Sequence, residues 1–154
     1  DHDRTGFTCG SEALDRYFRE QASQDTRRRT SACYVAIHTE TGAIAGYYTL
    51  AAGGVPLTEV PEAMAKKLPR YPSVPVARLG RLAVASRFQR RQLGAALLWD
   101  AAQRAVRSEV AVYALVVDAK DDAAAAFYLH HGFIAFGVAP RQFVLPLASL
   151  AKKN

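Results

Sequence analysis

Cysteine is scarce. The 154-residue sequence holds only Cys9 and Cys33, with no CxxC or other metal-ligand spacing. That excludes a disulfide-stapled scaffold and a cysteine-based metal centre, and leaves two reduced thiols in a cytosolic protein as the expectation. Cys33 lies in an apolar run and reads as a small core residue. Long hydrophobic runs are missing too. None approaches the roughly 18 residues needed to cross a bilayer, and the start carries no signal-peptide pattern, so no membrane partner and a cytoplasmic location are expected. The chain opens on Asp1 rather than Met, so leading residues, a first strand among them, are expected to be missing. No repeat or low-complexity linker divides the sequence, which reads as one domain over 1–154.

A third absence says more. From Ala63 to Trp99 there is no Asp or Glu, while Lys66, Lys67, Arg70, Arg78, Arg81, Arg87, Arg90 and Arg91 all fall there. A solvated face mixes both signs, so a one-signed stretch this long points to an anion-binding surface. Arg27-Arg28-Arg29 forms a second cluster. Arginine outnumbers lysine fifteen to five within a net charge of +6, and its planar fork suits phosphate better than an ammonium does.

What is present gives an α/β pattern. Ser11 can cap a helix that places Leu14, Tyr17, Phe18 and Ala22 on one face. Ser31–Thr39 and Ile44–Leu50 read as a hairpin joined by a Glu40-Thr41-Gly42 turn. Residues 55–75 carry five prolines around a short Glu62–Lys67 helical patch and read as loop. Arg78–Val84 follows as a strand, then a basic connection, then a helix over Gly94–Arg107 with Leu97, Leu98, Ala101, Ala102 and Ala105 as its buried stripe. Tyr113–Val117 is continuously apolar, as a strand covered on both faces would be. Asp121 or Asp122 caps a helix through His130 that Gly132 ends. Phe133–Phe136 and Phe143–Leu147 complete a mixed sheet with one parallel crossover.

The segment from Arg81 to Leu98 runs strand, basic loop, helix. A helix N-terminus presents free amides and a positive dipole end, which suits a pyrophosphate, and Gly94 permits close backbone approach while Arg90 and Arg91 add charge. This segment resembles the acetyl-CoA motif of the GNAT N-acetyltransferases, Q/R-x-x-G-x-G/A. Two registers fit. Arg91-x-x-Gly94-x-Ala96 matches every letter. Gln89-x-x-Gln92-x-Gly94 puts Gln92 in place of the first glycine, and is preferred because it places the last glycine directly before the helix with the Leu-Leu pair. The resemblance implies the GNAT fold, a mostly antiparallel sheet with a splayed parallel pair. It also implies that backbone at Leu82, Ala83 and Val84 holds the pantetheine arm and thioester, with Gln89, Arg90, Arg91, Gln92, Leu93, Gly94 and Ala95 around the diphosphate.

Ala124-x-x-Phe127-Tyr128-x-x-x-Gly132-Phe133 is similar to a second GNAT signature, whose tyrosine is the general acid for the departing thiolate. A phenol near pKa 10 can protonate a thiolate whose acid resembles cysteine, near 8.5. His130 and His131 suit the helix C-terminus electrostatically, and the motif accounts for them without chemistry. The strand Arg78–Val84 has no carboxylate, whereas many GNAT members carry a Glu there as base. An α-amine near pKa 7.7–8.0 needs such help far less than a lysine amine near 10.4. Phe7-Thr-Cys-Gly10, Leu14–Phe18, Gln21-Ala22 with the basic run, Gly46–Leu50 and Leu79–Val84 are similar to the TacT/AtaT-type toxins of type II toxin–antitoxin pairs. That resemblance implies acetylation of aminoacyl-tRNA at its α-amine, a tRNA surface that includes Arg27, Arg28, Arg29, Arg78, Arg81 and Arg87, a ribbon–helix–helix antitoxin and, often, a homodimer. No metal is expected. Selectivity among aminoacyl-tRNAs is expected in the loop around residues 53–76. The alternatives are an acetyltransferase for a small amine or protein N-terminus, and a non-catalytic acyl-CoA- or RNA-binding regulator.

Overall fold

The computed structural model describes residues 3–151. A six-stranded sheet has the order β1-β2-β3-β4-β6-β5, with β3 and β4 as its parallel pair. The strands are β1 (Ala32–Ile37), β2 (Ile44–Pro56), β3 (Ser73–Val84), β4 (Ala114–Asp118), β5 (Ile134–Ala135) and β6 (Gln142–Pro146). The helices are α1 (Glu12–Glu20), α2 (Ala22–Arg27), α3 (Glu62–Ala65), α4 (Leu93–Val106), α5 (Asp122–His130) and α6 (Ala148–Ala151). No helix among the described residues is long and apolar enough to cross a membrane.

By its internal contacts the chain forms two compact units. The first comprises the chain up to Ala51 and Leu79–Ala101. Ser11 opens α1 as expected, its hydroxyl accepting from the Leu14 amide at 3.5 Å. This helix stops at Gln21, and Ala22 starts the separate, six-residue α2. The expected apolar stripe is buried, with Tyr17, Phe18 and Ala22 inside. Phe18 stacks on Tyr47 at 4.4 Å between centroids, and Phe7 meets both rings edge-on. Each such ring contributes about 1.5–3 kcal/mol by burial. The Tyr47 hydroxyl then donates to the Leu14 carbonyl at 2.7 Å, fastening β2 to α1. The hairpin pairs Ala32 with Leu50 through Ala36 with Gly46, with a register shift between Ala36 and Ile37. Gly46 has a specific reason to lack a side chain. A Cβ there would lie 2.8 Å from the Ala83 carbonyl oxygen and 2.9 Å from Leu97 Cδ1.

The second unit comprises Ala52–Arg78 and the chain from Ala102 onward. Val55, Val76, Ala114, Val116, Phe136 and Val144 form its core. Antiparallel pairing runs from Ala114 with Pro146 to Asp118 with Gln142, and β5 adds only Ile134 and Ala135 against Val144 and Phe143.

Two strands are longer than the sequence suggests. β2 continues past Leu50 to Pro56, and β3 begins at Ser73 rather than Arg78. Prolines 56, 72 and 75 argue against strand in the sequence, since a proline cannot donate to a ladder. Here Pro72 and Pro75 still accept. Leu57 donates to the Pro72 carbonyl at 3.0 Å and Tyr113 to that of Pro75 at 2.8 Å. The Glu62–Lys67 patch is helical over Glu62–Ala65 only.

Candidate active site

The connection from β3 to α4 is anchored at both sides before it turns. The Ala85 amide donates to the Ala45 carbonyl and that of Ser86 to the Thr8 carbonyl, each at 2.8 Å. A 3-10 turn over Ser86–Phe88 buries the Phe88 ring in the first unit's core. The Gln89 side-chain amide then reaches back with Nε2, donating to the Cys9 carbonyl at 2.8 Å and to that of Val84 at 2.9 Å.

The next residues have unusual backbone. Arg90 (φ 65°) and Gln92 (φ 63°) are both left-handed, with Arg91 between them at negative φ. Left-handed backbone costs a non-glycine residue on the order of 1–2 kcal/mol. α4 begins at once with Leu93, and the Ala96 amide reaches the Gln92 carbonyl at 3.2 Å. The first-turn amides of Leu93, Gly94 and Ala95 have no intrahelical acceptor. Left-handed geometry at Gln92 is what a glycine would adopt without cost, so it favours the register in which Gln92 stands for the motif's first glycine. Arg90 and Arg91 are exposed, and the guanidinium carbons of Arg87 and Arg91 lie 4.9 and 5.7 Å from the Phe88 ring centroid. On the preceding strand Ala83 is buried, and Leu82 and Val84 are half-buried.

The other expected cations are placed unequally. Arg27, Arg28 and Arg29 are all exposed at the end of α2. Arg78 lies over the bare backbone of Gly53, where a Cβ would meet its Nε at 3.1 Å, and pairs with Asp118 at 3.8 Å. An exposed pair of that length holds it by about 1 kcal/mol at most, so its charge remains available. Arg81 is more committed. Its guanidinium carbon sits 3.5 Å from the Tyr17 ring centroid, and the Tyr17 hydroxyl donates to Asp25 Oδ2 at 2.6 Å. Sequence reading misses this stacking and the Gln89 links, because nothing local signals a partner so distant in the chain.

Tyr128 is carried by α5, which Asp121 caps by accepting the Ala124 amide at 2.8 Å. The helix ends at left-handed Gly132 (φ 92°), and the Phe133 amide returns to the Tyr128 carbonyl at 3.1 Å. Only 5% of Tyr128 is exposed, and its ring is flanked by Phe127, Phe133 and Phe143 at 5.2, 5.4 and 6.5 Å. Burial pushes this phenol well above its ordinary range, so the group holds its proton throughout the physiological range. His130 and His131 finish the helix. The His131 amide bonds the Phe127 and Tyr128 carbonyls, and burial together with His130 lowers the imidazole's proton affinity.

Burial also raises Tyr17, to about 12, and Tyr47. All three phenols therefore keep their protons in the fold at pH values where the unfolded chain has lost them. The stability they contribute is complete below pH 10 and declines as pH rises from there through the folded values. Urea midpoints should hold steady from pH 7 to 9 and fall steeply between 10 and 11.5, by up to ~1.4 kcal/mol per pH unit for each phenol engaged. A flat midpoint across that window would contradict the burial of these hydroxyls.

The Acetyltransferase (GNAT) family matches residues 3–133. A tRNA-acetylating toxin of Mycobacterium tuberculosis (strain ATCC 25618 / H37Rv) is 37% identical over 133 residues, covering 85% of this chain and 78% of the toxin. Among solved structures, AtaT complexed with acetyl-methionyl-tRNAfMet superposes with a TM-score of 0.92 at 27% identity, covering 99% of this chain and 92% of that one. A tyrosine-to-phenylalanine mutant of AtaT bound to the C-terminus of the antitoxin AtaR superposes at 0.83 with 25% identity, covering 99% and 91%.

Proposed function

Because this chain belongs to the acetyltransferase (GNAT) family, we propose that it is a toxin-type enzyme that moves acetyl from acetyl-CoA to the α-amine of aminoacyl-tRNA and so blocks translation. The left-handed turn at Arg90 and Gln92, opening into α4 within a stretch free of acid, carries this reading. The turn fits a diphosphate by its donors: the first-turn amides of α4 and the Arg90 and Arg91 charges. Gln89 fixes its entry, and Leu93, Gly94 and Ala95 supply its helical side. Acetyl-CoA supplies the activated acetyl group as a thioester. Backbone amides near Val84 would meet the charge that develops on the carbonyl oxygen, and Tyr128 would hand its proton to the departing thiolate.

The acceptor follows from the absent base. β3 carries no carboxylate between Arg78 and Val84, so the amine arrives already neutral or loses its proton to water. An α-amine esterified through its carboxyl titrates below the free value of about 7.7–8.0. The rate at low substrate should therefore rise along one limb with an inflexion below pH 8, then stay level to pH 10, because Tyr128 keeps its proton. An inflexion above pH 9 would assign the acceptor to a lysine-like amine instead.

Arg27, Arg28, Arg29, Arg78 and Arg87 would serve a polyanionic acceptor directly, and Arg81, stacked on Tyr17, from behind them. The relative that acetylates tRNA and the AtaT complex with acetyl-methionyl-tRNAfMet support this choice. Binding of AtaR by AtaT supports an antitoxin partner, which we take to be of the ribbon–helix–helix type, and a homodimer of this single-domain enzyme in the cytoplasm completes the proposal. The test is transfer of labelled acetyl to purified charged tRNA, with uncharged tRNA as control. Label on charged tRNA alone supports the reading. Label on small amines or peptide N-termini, with charged tRNA inert, replaces it, and saturable acetyl-CoA binding with no transfer at all makes the protein a regulator.

A further inference from the structure

The corner that carries Arg27, Arg28 and Arg29 is held in place from β3, and this hold rests on the aminoacyl-tRNA reading for its purpose. We propose that Arg81 is a positioning residue for the polynucleotide acceptor: with Tyr17 and Asp25 it braces the α2 corner so that Arg27–Arg29 present a fixed cationic edge to phosphodiesters.

Four observations support it. First, Arg81 is itself fixed, since its backbone amide donates to the Oγ1 of buried Thr49 at 3.0 Å. Second, its guanidinium lies over the Tyr17 ring, at 3.5 Å, a planar stacking that lysine cannot supply. Third, Asp25 is gripped on both its oxygens, by the Tyr17 hydroxyl at 2.6 Å and by Gln21 Nε2 at 3.0 Å. Its backbone carbonyl also accepts the Thr30 amide at 3.0 Å and the Thr30 hydroxyl at 3.2 Å. The three arginines thus lie between two residues, Asp25 and Thr30, that are bonded to each other. A helix of six residues has too few internal bonds to hold such a corner alone.

Fourth, the corner keeps charge where backbone geometry argues against it. Arg29 is left-handed (φ 60°), directly after the α2 cap at Arg28, the place where helices most often put glycine. A residue held in that region against its preference marks a functional constraint. Arg90, in the diphosphate turn, repeats the pattern.

If Arg81 instead touched phosphate directly, its link to Asp25 through Tyr17 would be incidental. Tyr17→Phe separates the two. It keeps the ring under Arg81 and removes only the hydroxyl that reaches Asp25. The brace predicts that Tyr17→Phe raises KM for charged tRNA about tenfold and lowers the salt slope of log KM by about 1 for each phosphate no longer engaged. The kcat, the acetyl-CoA affinity and the rate on a short aminoacylated CCA trinucleotide should stay at wild-type values. Asp25→Asn, which retains an acceptor oxygen, should restore most of the KM when compared with Asp25→Ala. Arg29→Gly should raise KM likewise while its melting temperature holds or rises. Wild-type KM and salt slope in Tyr17→Phe, or an equal loss on the trinucleotide, would overturn the brace. Should wild-type protein fail to acetylate charged tRNA at all, the function falls and the brace with it, whereas transfer by wild type with Tyr17→Phe indistinguishable from it removes the brace alone.

Discussion

Tyr128→Phe is expected to slow acetyl transfer by about 10²- to 10⁴-fold, the usual worth of a positioned general acid. The substitution is a clean one. Phenylalanine keeps the ring contacts with Phe127, Phe133 and Phe143 and removes one oxygen from a side chain that is almost wholly buried. Stability should change by no more than a single hydrogen bond's worth, about 0.5–1.5 kcal/mol. Acetyl-CoA binding, measured by calorimetry, should be unaltered because the turn proposed to hold the diphosphate is untouched. The readout is thiol release in steady state, taken beside the binding isotherm. Full transfer rate with normal binding would remove the proton donor role from Tyr128. Loss of binding together with rate would show that the residue shapes the cofactor site instead.

Gly94→Val is expected to weaken acetyl-CoA binding at least a hundredfold, which is about 2.7 kcal/mol, with little effect on folding. The position lies in the first turn of α4, where the amides of Leu93, Gly94 and Ala95 have no carbonyl to pair with in the helix. A diphosphate reaching them needs the backbone bare, and a β-branched side chain stands in that path. Helix propensity moves the other way, since glycine is the poorer helix former by about 0.5 kcal/mol or more, so thermal stability should hold or rise. Calorimetry with coenzyme A and a melting curve are sufficient. Affinity retained within threefold would show that the diphosphate does not approach α4 here, and the site would have to be sought elsewhere. Gly94→Ala, adding one methyl, should fall between the two.

Much of the local structure around the candidate site is legible in the sequence because it is written locally. The strand–loop–helix from Arg81 to Leu98 and the Asp121-capped helix ending at Gly132 each follow from short-range signals: an apolar run, a cap, a stripe at helical spacing, a glycine stop. Those features are decided by neighbours within a few positions, and the structure places α4 and α5 within a residue of the expectation. Prolines 56, 72 and 75 read as breakers, yet Pro72 and Pro75 are asked for carbonyls and not for amides. Left-handed backbone at Arg29, Arg90 and Gln92 is invisible in the sequence, since none of these residue types advertises it. The stacking of Arg81 on Tyr17 joins β3 to α1, and only tertiary structure brings such distant residues together. In composition Arg81 counts as one more basic residue, and in the fold its guanidinium is already engaged.

The double reach of Gln89 makes its side chain a latch. One planar head with two N–H bonds ties the carbonyls of Cys9 and Val84 together. Arginine offers a flat, multi-donor terminus of the same kind, so Gln89→Arg is compatible with both contacts. Glutamate, of nearly the same shape, would set a carboxylate against two carbonyl oxygens and push the N-terminal segment off the end of β3. The side chain at residue 89 is thus governed by its donors, which latch two stretches of main chain together.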